Sequence, residues 1–266
     1  MQSVRSGSWQ STSSPTAGVT RPIAKCNSSS HDQVATALGT EILQGVHRPG
    51  TRIPSESDLI ERFKVSRTVM REVMKTLSGK GLVVSKSRVG TRVRDPTSWN
   101  FFDADVLAWR ARAGIDETFL ESLREVRYAL EPAAAALVAQ RRTATDILRL
   151  REHVRQMGRS GHTRQSFAEA DLKFHLAIGA ISGNPLMRSV ANVIQTALAA
   201  SCSVSSAVDD PSDHEINVNS HAAIVDAIEA RDQVAAARGM LRVIDIGVRR
   251  IARKKRSQRR NPTNQS

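Results

Sequence analysis

The stretch from Ile53 to Lys80, I-P-S-E-S-D-L-I-E-R-F-K-V-S-R-T-V-M-R-E-V-M-K-T-L-S-G-K, constrains the fold more than any other. It reads as two short helices with a tight turn at Lys64 and Val65. In the second helix Val69, Met70, Val73, Met74 and Leu77 recur at spacings of three and four, so one face is buried. The opposite face carries Arg67, Thr68, Arg71 and Lys75. A short helix with a packed back and a cationic, hydrogen-bonding front is what reading a major groove requires. The same pattern fits an ordinary amphipathic helix with a solvated face, so the flanking sequence has to decide.

Upstream, Val34, Leu38 and Ile42 share a stripe and predict a first helix from His31 to near Gly45. Gly45 to Pro54, with Gly50 and two prolines, is a connector. Ser55 then starts the second helix as an N-cap, Asp58 completes a capping pattern, and Glu56 suits the positive end of the first turn. Leu59 and Phe63 are its core contacts, and Ser66 caps the third helix. Beyond Gly79 and Gly81, Leu82 to Ser85 and Thr91 to Arg94 read as strands joined by Lys86-Ser87-Arg88-Val89-Gly90. Three helices followed by a basic hairpin make a winged helix-turn-helix. The third helix enters the major groove, and the wing tip with Arg88 and Gly90 lies along the backbone or the adjacent minor groove. A solvated hairpin tip is the alternative for Arg88.

The charge agrees with a polyanionic partner: the 266 residues carry a formal net charge of +13. A membrane surface is the rival, but no apolar run approaches the roughly 20 residues of a spanning helix and no secretion signal is recognisable. Cys26 and Cys202 have neither disulfide-framework nor zinc-ligand spacing, which points to a reducing cytoplasm. Aromatics make up only 4% of the chain, too few for a protein that stacks on single-stranded bases. The Ser- and Thr-rich residues 1–30 read as a disordered leader.

From Trp99 onward the composition changes, and helical periodicity dominates without strand-like alternation. Helices are expected near Asp116–Arg141, Thr145–Met157, Gln165–Ser182, Pro185–Ser201, Glu215–Ala230 and Gln233–Lys255, packed as a bundle able to enclose a cavity. The informative residues are polar ones inside apolar stripes. Asp171 and His175, four apart, share a face with Phe167, Phe174 and Ile178, and His221 shares one with Ile224, Val225 and Ile228. A carboxylate and two imidazoles pointing into a bundle need a partner. A divalent metal such as Zn, Ni or Mn is one, and a buried Asp–His hydrogen bond is the other. Arg127 sits on the stripe Leu120, Leu123, Leu130 and Ala134, and needs an anion. That anion is either a carboxylate effector or an internal acid, Glu131 or Asp171. Arg250, beside Val243 and Ile246, is a weaker second candidate, and Arg253 to Arg260 read as a solvated basic tail adding non-specific DNA affinity.

Two segments resemble a known family. G-T-R-I-P-S-E-S-D-L at Gly50 to Leu59 and V-S-R-T-V-M-R-E-V at Val65 to Val73 are similar to the signature of the GntR family of bacterial transcription regulators, a match covering residues 31–94. The resemblance implies that Ser66, Arg67, Thr68 and Arg71 face DNA, with Gly90 in the wing. At Ser57 many relatives carry a basic residue that touches phosphate. Asp171-Leu-Lys-Phe-His175 resembles the D-x-x-F/Y-H motif of the FCD effector domain of FadR-type members, and His221 with Ala-Ala-Ile-Val-Asp-Ala-Ile resembles its later element. In metal-binding members these positions are ligands. Such members usually have a further His where this chain reads Leu198-Ala199-Ala200-Ser201, with Gln195 one turn away as a poor substitute, so water or effector oxygens complete the set. Trp99 to Trp109 and Arg124 to Pro132 are similar to regulators of sugar-acid catabolism, galactonate-responsive ones in particular, which implies a hydroxy-carboxylate effector neutralised by Arg127.

The expectation is therefore a mostly α chain. Residues 31–95 form a winged helix-turn-helix, 96–114 a linker, 115–252 an all-helical ligand-binding and dimerisation domain, and 253–266 a basic disordered tail. The function expected is a homodimeric, cytoplasmic regulator of a double-stranded operator, most often a repressor in this family, released by a small carboxylic acid such as an aldonate. The alternatives are a GntR-type regulator answering another organic acid (lactate, fatty-acyl or amino acid) without metal, or a metalloenzyme with a DNA-binding appendage. The enzyme reading lacks H-E-x-x-H, G-x-S-x-G and a phosphate-cradling loop. A constitutive architectural DNA binder would leave Asp171, His175 and Arg127 without a purpose.

Overall fold

The computed structural model describes residues 29–86 and 89–260. The first unit comprises α1 (Ser30–Leu43), α2 (Glu56–Phe63), α3 (Arg67–Gly79) and a hairpin of β1 (Val83–Lys86) and β2 (Gly90–Val93). The Ser55 hydroxyl accepts from Asp58 N at 3.3 Å, while the Asp58 carboxylate accepts from Ser55 N at 3.1 Å, so the α2 start is fixed at both donors. Lys64, in the left-handed conformation at φ 53°, turns the chain, and the Ser66 hydroxyl then accepts from Val69 N at 3.2 Å to open α3. Leu38, Leu59, Met70, Val73, Leu77 and Leu82 fill the core, with Val69 only at its rim. The hairpin pairs Val83 with Val93 and Lys86 with Gly90, each strand displaced about one residue from the sequence expectation. The connector also joins the wing: Ile53 N donates to Thr91 O at 3.1 Å and Val93 N to Thr51 O at 3.0 Å. Gly90 adopts φ 85°, a turn conformation that disfavours any side chain. Arg88 lies outside the described residues.

The stretch expected as a linker contains a helix, α4 (Ala104–Ala113), capped by Asp103. Val106 and Trp109 point into the core of the first unit, whereas Leu107 joins Leu123, Val193 and Ala197 on the other side. Trp109 Nε1 donates to Thr36 Oγ1 at 3.1 Å, and a β-carbon on Gly39 of α1 would meet the indole at 2.2 Å. Lys80 clamps the helix start, 2.7 Å from Asp103 and 2.8 Å from Asp105.

The second unit consists of α5 (Glu117–Arg141), α6 (Ala144–Met157), α7 (Arg164–Ile181), α8 (Pro185–Ser189), α9 (Ala191–Val204), α10 (Pro211–Glu229) and α11 (Gln233–Arg260). Helix α11 packs along both α5 and α10, and Val138, Leu150, Phe174, Ile178, Ile224 and Met240 form the centre of the bundle. Helix α10 begins earlier than its apolar pattern suggested, because Asp210 caps it and Pro211 occupies the first turn, where a missing N–H costs nothing. Helix α11 runs on to Arg260, through the region expected to be a disordered tail. Arg, Lys and Gln are good helix formers, and Arg253 is tied to Asp213 at 2.6 Å. Among the described residues no helix is long and apolar enough to cross a membrane.

Candidate effector cavity and DNA-reading face

Helix α3 is held by its buried face, leaving Arg67, Thr68 and Arg71 exposed at its N-terminal half. Ser66 is exposed too and serves as the cap. Among the described residues no carboxylate pairs with Arg67 or Arg71, whereas Lys75, one turn on, is occupied by Glu72 at 2.8 Å. The free cations thus cluster at the end of the helix whose backbone dipole is positive, which suits phosphate as well as base edges.

In the bundle, the i, i+4 relation on α7 brings Asp171 and His175 to one face, and α10 presents His221 to the same point. His221 Nε2 lies 3.1 Å and His175 Nε2 3.7 Å from Asp171 Oδ1, with the two imidazole nitrogens 3.5 Å apart. All three ligand atoms lie within 4.8 Å of one another. The Phe174 ring stands edge-on to both imidazoles, at centroid distances of 5.9 and 4.9 Å, and fixes their planes.

The outer nitrogens explain the orientation. His221 Nδ1 donates to the Asn217 carbonyl at 2.8 Å, which turns Nε2 toward Asp171. His175 Nδ1 is 2.5 Å from Glu131 Oε2, a close charge contact not aligned as a hydrogen bond, and Nε2 is the nitrogen that faces Asp171. Glu131 is in turn gripped by the Arg127 guanidinium through Nε and Nη2. An acid behind each ligating imidazole, or a carbonyl, is the usual outer support of a metal-binding histidine.

The electrostatics fit that reading. Burial opposes ionisation of Glu131, but Arg127 and then His175 hold its carboxyl down to about 2. Burial also opposes the Asp171 charge, and His221, His175 and Arg127 prevail to keep it well below the usual carboxylate range. Asp171 Oδ1 is nevertheless buried without an aligned hydrogen bond. A buried anionic oxygen with two imidazole nitrogens beside it is a donor set for a divalent cation of intermediate softness, and the residues fit one.

Asp171 and His175 open onto a cavity of about 180 Å³ that also reaches Arg127, Ser201, Asn217 and Arg250. The two arginines differ. Arg127 is committed to Glu131. Arg250 has Nε and Nη1 buried with no partner, and burial lowers its guanidinium's affinity for a proton. Asn217 Oδ1 is likewise buried and unpartnered. On α9 the residues turned to the cavity are Ala197, Leu198 and Ser201, so this helix supplies a hydroxyl and no imidazole. Gln195 faces a different cavity, between α9 and α4, and is not brought to the Asp171 cluster. Sequence reasoning missed Asn217 and the contact of Glu131 with His175, although Arg127 and Glu131 fall four apart on the inward face of α5.

A winged reader of duplex DNA joined to a helical bundle whose cavity combines apolar walls with a few convergent polar groups defines a DNA-binding transcription regulator with a small-molecule domain. Comparison with known proteins agrees. Residues 30–93 match the family of bacterial regulatory proteins called gntR, and residues 122–245 match the FCD domain. The chain is 30% identical to the galactonate operon transcriptional repressor of Escherichia coli (strain K12) over 83% of its own length and 96% of that protein. It is 34% identical to the HTH-type transcriptional regulator YieP of the same organism, over 76% of this chain and 87% of the relative. The solved structure of Lar, which controls expression of the Listeria monocytogenes agr system, has the same fold, with a TM-score of 0.57 at 18% identity over 84% of this chain and 96% of that one. The chain belongs to the GntR family, with an FCD domain, and its relatives are transcription regulators rather than enzymes.

Proposed function

We propose that this protein is a repressor that leaves its operator when a small hydroxy-carboxylate, of the sugar-acid class, enters the bundle together with a divalent metal. The observation that carries the reading is the convergence of Asp171 Oδ1, His175 Nε2 and His221 Nε2 within 4.8 Å, beside the unpaired Arg250. Asp171, His175 and His221 hold the metal, which supplies a Lewis-acidic point for oxygen ligands. Arg250 neutralises the acid's carboxylate, and Asn217 and Ser201 hydrogen-bond its hydroxyls. Arg127 acts one step back, by holding Glu131 against His175. The relative that represses a galactonate operon supports the sugar-acid class.

On DNA, Ser66, Arg67, Thr68 and Arg71 read the major groove while the wing with Gly90 and Arg88 follows the backbone. The protein acts as a homodimer, because one winged module reads only a short half-site. The acid works by favouring a domain arrangement that no longer fits the half-site spacing, a population shift set by its differential affinity.

The test is thermal unfolding of chelator-treated protein, with zinc, nickel or manganese added back, against a panel of aldonates, lactate and acyl acids. A ligand at a hundredfold over its Kd stabilises by about 2.7 kcal/mol. Stabilisation by one sugar acid only when metal is present supports the reading. Stabilisation without metal transfers recognition to Arg250 and makes the histidines structural. Turnover of the acid would return the metalloenzyme alternative.

A further inference from the structure

A second cavity, of about 360 Å³, opens between α6, α7, α8 and α9. Arg149 and His153 reach it from α6, Lys173 from α7 and Arg188 from α8, and no carboxylate lines it. The rest of the lining is small or apolar apart from His175, whose ring is a wall common to this cavity and the one that holds Arg250.

A chain this basic exposes many cations, and most are solvated or paired. Elsewhere on α6, Arg151 reaches Asp226 at 3.0 Å and Arg155 reaches Glu152 at 2.7 Å. Among the described residues no carboxylate pairs with Arg149, Lys173 or Arg188. His153 Nε2, between them, is buried without a hydrogen-bond partner. Burial first, and then the charges of Arg149 and Lys173, hold the His153 imidazole below its ordinary range, against a smaller opposing pull from Glu152. Three unpaired cations around a concavity, with an imidazole nitrogen left over, are complementary to a compact dianion with several acceptor oxygens. A monocarboxylate would leave most of that charge unanswered. A DNA backbone calls for cations along an extended ridge, whereas these enclose a hollow.

We propose that this cavity is a second anion site that binds phosphate, either free or as the phosphoryl group of a small metabolite. It is separate from the effector cavity and does not depend on the metal. Because His175 bounds both cavities, an anion here adjoins the helix that carries the proposed metal ligands.

The experiment titrates inorganic phosphate and glycerol 3-phosphate into full-length, chelator-treated protein, with chloride at matched ionic strength as control, and follows the unfolding midpoint and the heat of binding. Phosphate at ten times its Kd should raise the folded-to-unfolded ratio about elevenfold. The double variant Arg149→Gln/Lys173→Gln should lose that response; both side chains are exposed, so the fold should survive the change. Arg250→Gln should keep it. A larger response to glycerol 3-phosphate than to inorganic phosphate assigns the site to an ester, and equal responses assign it to the free ion. No response to either anion overturns the proposal, as does an equal response in the double variant. A response lost only in Arg250→Gln moves phosphate to the effector cavity and overturns it too. Weaker, less salt-sensitive operator binding by the double variant, with no phosphate response in the parent, would make this face a DNA contact instead.

Discussion

Arg127 and Arg250 border one cavity, and their different surroundings predict different behaviour. Arg127 has its carboxylate; Arg250 has buried, unpartnered donors. Arg250→Gln should therefore abolish stabilisation by the effector acid while leaving the unliganded protein at least as stable, since an unpaired buried charge is removed. Calorimetric unfolding with and without acid reads both effects, and a variant that still responds to the acid removes Arg250 from the site. Arg67→Ala should eliminate operator-specific binding with little change in midpoint, because the side chain is exposed. Gel-shift titration against operator and unrelated DNA checks it; a variant that keeps its preference for operator refutes the assignment of Arg67. At this scale the sequence was informative where periodicity decided. Asp171, His175 and His221 betray themselves as polar residues on apolar stripes. The distinction between the two arginines was not legible, because it depends on where acids from other turns fall. Glu131 happens to be one turn from Arg127, and among the described residues no ion pair joins an acid to Arg250.

At the scale of elements, α4 is the part that sequence reading did not resolve. Its buried residues Val106, Leu107 and Trp109 serve two cores on opposite sides, so they form no single stripe. Helices with one apolar face, such as α3 and α7, are legible for the converse reason, and α10 is expected only from Glu215 because the turn that Asp210 and Pro211 open carries no aliphatic residue before Ile216. The docking of α4 on α1 makes two predictions. Gly39→Ala places a methyl where the Trp109 ring lies, 2.2 Å away, and should destabilise by about 1–3 kcal/mol through overpacking. Denaturant unfolding measures it, and an unchanged midpoint would mean that α4 does not sit on α1. The second concerns pH. Burial opposes the Asp103 charge, but Lys80 and the backbone N–H groups it caps more than offset that, so its pKa in the fold lies below the unfolded value. The carboxylate's contribution is thus present above about pH 4 and is lost as pH falls through the lowered folded value. Asp103→Asn should flatten the acid limb of the stability curve; an identical limb in the variant excludes Asp103 as its source.

At the scale of the whole molecule, α9 connects the two functions. Through Ala197, Leu198 and Ser201 it borders the effector cavity, and through Gln195, Thr196 and Ala199 it faces α4 across a groove of about 670 Å³. Helix α4 in turn packs on α1, which packs on the DNA-reading α3. A change in α9 on filling the cavity therefore has a continuous packed route to the reading head, with α4 as its middle member. If the proposed acid fills the cavity and alters operator affinity, the two sites are thermodynamically linked. If the acid weakens operator affinity by some factor, operator must weaken acid affinity by the same factor. Calorimetry of acid binding to free and operator-bound protein, set against DNA affinity measured with and without acid, gives the factor twice from independent data. Lys80→Met releases the clamp on Asp103 and Asp105 without touching either site. It should leave both intrinsic affinities near their parental values while bringing the coupling factor toward one. Full coupling in that variant would mean that the signal bypasses α4.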